Sequence, residues 1–170
     1  MIFNKSLKII LSTGAGTGST RLSAFDAALH DAGVFNYNLI HLSSVIPQNA
    51  NIVKEKFHTK PGEHGHKLYC VIAEIRSSEK GKYIGAALGW YQTQSDKKGI
   101  FVEQMEIGDN HKIVKSRLNA KVTATLLDMC KARGYKVTEK SIQITSRVEK
   151  IEKDPTSVLV IAVYKTEGWN

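Results

Sequence analysis

The chain has 170 residues, 42% hydrophobic and 24% charged, which allows one domain that buries a core without staples. Two cysteines, Cys70 and Cys130, supply no disulfide framework and read as core residues of a cytoplasmic protein, and the stretch Ile9-Ile10-Leu11 is too short for a spanning helix or a signal-peptide core. Lys and Arg number 24 against 16 Asp and Glu, a net charge of +8, yet the basic residues are scattered without interleaved aromatics, so a solvated surface is expected and neither nucleic acid nor membrane is a predicted partner.

In chain order, Leu7 to Thr13 reads as a strand that runs into a glycine-rich turn, Gly14-Ala15-Gly16-Thr17-Gly18-Ser19-Thr20. The glycines lack dinucleotide-fingerprint spacing and no Lys-Ser/Thr follows them, so the expectation is a tight strand-to-helix turn. Arg21 to Ala32 reads as a helix with Ser19 or Thr20 as N-cap and Gly33 as its stop. Tyr37 to Ser43 is strand-like and runs on to Val45-Ile46-Pro47, where proline forbids a central ladder. Further strands are expected around Ile52–Phe57, Leu68–Arg76, Tyr83–Tyr91 and Phe101–Ile107. His58, His64 and His66 have no cysteine or acid at metal spacing and read as an exposed loop. A second helix is predicted from about Lys112 to Arg133, capped by Asp109 or Asn110 and stopped by Gly134. Strands Ser141–Val148 and Ser157–Tyr164 close the chain around Asp154-Pro155. Two helices and seven or eight strands predict a single α+β domain, a layered sandwich.

Two acids stand where apolar residues are expected. Leu22, Asp26 and Leu29 fall within an arc of about 60° on the first helix, which places Asp26 inside an apolar stripe beside Phe25. In Phe101-Val102-Glu103-Gln104-Met105-Glu106-Ile107, strand alternation puts Glu103 with Phe101, Met105 and Ile107, and Glu106 on the other face. Burial favours the protonated form of a carboxyl, which suits a general acid. The third unusual stretch is Leu42-Ser43-Ser44-Val45-Ile46-Pro47, two serines ahead of a proline-bent loop. It lies downstream of Ala24-Phe25-Asp26 and of Ala32-Gly33 with Asn36, Asn38, Leu39 and Ile40.

That order of motifs, from Gly14 to Pro47 and again at Gly99-Ile100-Phe101-Val102-Glu103, resembles the pyruvoyl-dependent arginine decarboxylases. The resemblance implies a four-layer αββα core, a homotrimer with sites between protomers, and a carbon–carbon lyase that converts arginine to agmatine and carbon dioxide. It implies self-cleavage between Ser43 and Ser44 into chains 1–43 and 44–170, with Ser44 becoming a covalent pyruvoyl group. By the same resemblance Glu103 is the proton donor, Asp26 pairs with the substrate guanidinium, and Leu22 and Leu29 wall its aliphatic stem. Alternation from Asn38 through Ile40 and Leu42 to Ser44 places the Asn38 amide beside the developing oxyanion. No metal is implied.

Phe35 and Tyr37 are bulkier than the residues associated with those family positions, and Gln104 replaces the aromatic that usually follows the acid. Pyruvoyl decarboxylation of histidine or ornithine, and an inactive nucleic-acid-binding paralogue, are the alternative readings.

Overall fold

Among the described residues nine strands form two facing sheets, and each sheet carries one helix on its outer side. The computed structural model describes residues 6–170. Its elements are β1 (Lys8–Thr17), α1 (Arg21–Ala32), β2 (Asn38–His41), β3 (Val45–Ile46), β4 (Asn51–Lys54), β5 (Lys67–Ser77), β6 (Tyr83–Gln92), β7 (Gly99–Gly108), α2 (His111–Ala132), β8 (Gln143–Lys150) and β9 (Thr156–Glu167). One sheet has the order β2-β5-β9-β1-β4, the other β3-β7-β6-β8. The layers run α1, five strands, four strands, α2, as the α+β sandwich reading expects. Among the described residues no helix is long and apolar enough to cross a membrane.

The centre is β9, whose run Val158 to Val163 is buried on both faces. Val158, Val160, Ala162 and Tyr164 point between the sheets with Ile84, Leu88 and Phe101. Leu159, Ile161 and Val163 point outward, against Ala28 and Ala32 of α1. α2 buries Val114, Leu118, Val122, Leu126 and Cys130 on the outer face of β6 and β7. Its N-cap is Asn110, whose side chain accepts from the Lys112 and Ile113 N–H groups.

Two expectations are corrected here. The glycines after Thr13 do not make a turn, because β1 continues through Gly14 and Gly16 to Thr17, paired with β9. They are there for a close approach. A Cβ on Gly14 would lie 2.1 Å from the Ala28 carbonyl oxygen, and one on Gly16 would lie 2.5 Å from the Ala28 nitrogen. α1 therefore lies directly on β1, with its alanines Ala24, Ala28 and Ala32 inward. Gly16→Ala should destabilise the domain by about 1–3 kcal/mol or more, because the blocking atoms are helix backbone, and thermal or denaturant unfolding measures it. A variant as stable as wild type would mean that the helix lifts without cost.

The second correction concerns β2, which ends at His41 rather than Ser43, and Val45-Ile46, which belongs to the other sheet. The Leu42 N–H still donates to the Cys70 carbonyl of the five-stranded sheet at 2.8 Å. Two residues later the Ser44 carbonyl accepts from the Phe101 N–H of the four-stranded sheet at 2.8 Å. Val45 and Ile46 then pair with Ile100 and Gly99. The chain thus changes sheets at Ser43-Ser44, and this crossing positions the site.

Candidate active site

Ser44 takes the crossing in the left-handed region, with φ of 65°. For a residue with a Cβ that conformation costs about 1–2 kcal/mol. The segment's backbone bonds to both sheets hold it there. The Ser44 hydroxyl donates to Oε1 of Glu103, and both residues are half-buried. Ser43, one step upstream, is exposed.

Glu103 reaches this place by the alternation expected of β7. Phe101 and Ile107 share its face and lie in or against the core between the sheets. Glu106 points the other way, to Lys121 of α2 at 2.6 Å, and Gln104 donates to Thr125 of the same helix. Gln104 therefore faces α2 and not the carboxyl of Glu103. The surroundings are open, since Val45 is 57% exposed and Met105, on the Glu103 face, is 45% exposed.

One residue of this cluster escaped the sequence reading. Tyr164, at the end of the interior face of β9, donates its hydroxyl to the Val45 carbonyl at 2.9 Å. Burial pushes its phenol pKa up, and the charge of Glu103 adds to the rise. A tyrosine closing an apolar strand reads as core, and no local signal marks it otherwise.

Other expected residues lie elsewhere. The Asn38 amide donates to the Gly65 carbonyl at 2.7 Å, and alternation does not carry from Asn38 to Ser44 because β2 ends between them. Within one chain, Asn38 is not an oxyanion donor to Ser44. Asp26 is likewise not inside a buried stripe. The buried face of α1 is Ala24, Ala28 and Ala32, and their contact with the β1 glycines turns Asp26 and Leu22 outward. Asp26 is exposed, Leu22 is 69% exposed, and Leu29 is half-buried against the α1 core. The five-stranded sheet stands between this face and Ser44. Phe35 stacks on His30 at 3.9 Å between ring centroids, and the Tyr37 hydroxyl donates to Glu63 at 2.6 Å, so both bulky residues make contacts within their own chain.

What the arrangement offers is a serine hydroxyl beside a carboxylate, on a peptide held in a costly conformation. That set suits attack by the hydroxyl on its own upstream carbonyl.

Comparison with known proteins finds one matching family model and several relatives. The family model described as pyruvoyl-dependent arginine decarboxylase matches residues 8–168. A protein of that name from Methanothermobacter thermautotrophicus is 32% identical over 155 residues, 91% of this chain and 95% of that relative. One from Pyrococcus abyssi is 31% identical over 157 residues, 92% of this chain and 94% of its own. One from Thermoplasma volcanium is 34% identical over 110 residues, 64% of this chain and 60% of the relative's length.

Proposed function

The chain belongs to the family of pyruvoyl-dependent arginine decarboxylases, and on that premise we propose that it cuts itself between Ser43 and Ser44 and then converts arginine to agmatine and carbon dioxide. The observation that carries this reading is Ser44, left-handed at the crossing between sheets with its hydroxyl on Glu103.

The first stage uses only this chain's atoms and water. Glu103 draws the hydroxyl proton while Oγ of Ser44 attacks the Ser43 carbonyl carbon. The carbon–nitrogen bond breaks, which leaves an ester on Oγ and a free amine on Ser44. Loss of the Ser44 α-proton expels the Ser43 carboxylate and leaves dehydroalanine. Water then adds, ammonia departs, and a pyruvoyl group heads residues 44–170. Relief of the left-handed conformation favours the cut.

The released 1–43 segment stays in the fold. It contributes β1, wedged between β9 and β4, and β2, paired with β5. A severed backbone therefore still yields one sandwich.

The residues around Ser44 fit the group that it would become. Formed at residue 44, a pyruvoyl group would supply an electron-withdrawing carbonyl to the amino acid that loses carbon dioxide. Glu103, already beside residue 44, delivers a proton to the carbon that has lost the carboxylate. Asp26 pairs with the guanidinium, where a planar fork suits a carboxylate better than a point charge does. Leu22 and Leu29 line the stem. Asp26 lies on the outer side of the five-stranded sheet, so it reaches a Ser44 only on another protomer. A homotrimer of cleaved protomers closes such a ring.

Steady-state kinetics on arginine, ornithine and histidine test the assignment. Arginine should be preferred, and Asp26→Asn should weaken its binding by about 1.5–3 kcal/mol, the range for hydrogen bonds to charged groups. An unchanged arginine preference in Asp26→Asn would move the guanidinium site away from α1.

A further inference from the structure

Tyr164 has no part in the chemistry just described, yet it reaches across the sandwich to the reacting segment. It is 9% exposed, with its ring edge-on to Phe101 at 6.4 Å between centroids. Its backbone belongs to the five-stranded sheet, while the Val45 carbonyl that accepts its hydroxyl belongs to the four-stranded one. The preceding carbonyl, that of Ser44, accepts from the Phe101 N–H. Two successive carbonyls after the scissile bond are thus held by donors from two elements. Beyond these two bonds the segment is held by the two-residue pairing of β3 with β7 and by the buried Ile46, while Val45 itself is 57% exposed.

We infer that Tyr164 is a positioning residue for both stages, its hydroxyl fixing the Val45-Ile46 peptide so that the Ser44 carbonyl, one peptide upstream, stays on the Phe101 N–H. The inference rests on the function proposed above. In the uncut chain this restraint helps to keep Ser44 left-handed, a conformation that persists only when its surroundings over-determine it. Both hydrogen bonds lie within residues 44–170, so they outlast the cut. After the cut the residue 44 carbonyl would stand next to the ketone of the new group and would take up charge drawn from the substrate. The Phe101 N–H is then a donor aimed in advance at that charge, and a single donor of this kind is worth about 10²–10³ in kcat. Tyr164 acts one peptide further on, so its loss should forfeit part of that factor. Burial and the nearby carboxylate keep the phenol protonated, so it remains a donor at neutral pH.

Tyr164→Phe keeps the ring and removes the donor. Measured well below the melting temperature, self-cleavage should slow about tenfold or more, and kcat per cleaved chain should fall about 10–100-fold, a part of the single-donor factor. KM for arginine should stay within about twofold, because Tyr164 does not touch substrate. With 4-aminophenylalanine at position 164 a donor returns, and both rates should recover most of the loss. Should Tyr164→Phe not fold, 4-aminophenylalanine and 4-methylphenylalanine carry the same comparison, since only the first donates. Wild-type cleavage and turnover in a variant that is merely less heat-stable would overturn the inference alone, as would a rise in KM with kcat unchanged. A wild-type protein that neither cuts itself nor decarboxylates arginine would overturn the proposed function, and this inference with it.

Discussion

Ser44→Ala is expected to remain one full-length chain with no decarboxylase activity. The reaction begins at the Ser44 hydroxyl, which donates to Glu103. Alanine leaves the backbone bonds of the crossing in place, the Leu42 N–H on Cys70 and the Phe101 N–H on residue 44, so the fold should survive. It removes the only atom that can attack, and with it the source of the pyruvoyl group. Denaturing electrophoresis and release of carbon dioxide from arginine read both consequences. A folded Ser44→Ala protein that still splits would move the cut, and one that still turns over would remove the pyruvoyl chemistry.

Glu103→Gln should separate the two stages. The amide oxygen can still accept the Ser44 hydroxyl, so self-cleavage should proceed, more slowly. Glutamine cannot deliver a proton to the decarboxylated carbon, so turnover of the cleaved enzyme should fall by about 10²–10⁴, the usual contribution of a general acid. Turnover within about threefold of wild type would leave Glu103 a structural role only, judged on that scale.

Periodicity made the secondary structure legible, and it failed where tertiary contact decided the outcome. The placement of Glu103 followed from strand alternation alone, with Glu106 and Gln104 falling on the α2 side as that pattern demands. The same logic failed at Asn38, because a strand that ends at His41 transmits no alternation to Ser44. It failed at Asp26 for a different reason. Arc arithmetic on α1 correctly grouped Leu22, Asp26 and Leu29, but a helix that packs on glycines buries its smallest face and not its most apolar one. The leucine that results, Leu22, is 69% exposed. Gly14 and Gly16 were visible as glycines, but the reason for them lay 14 and 12 residues ahead in the backbone of Ala28. Tyr164 was beyond reach, since its partner is the Val45 carbonyl, 119 residues away.

Self-cleavage at Ser43-Ser44 is the claim on which the rest depends, and the intact mass of the purified protein under denaturing conditions tests it most directly. Two fragments are predicted, 1–43 and 44–170, the larger lighter by one ammonia than a chain headed by serine. A single mass for the full chain in a preparation that nonetheless decarboxylates arginine would contradict the account.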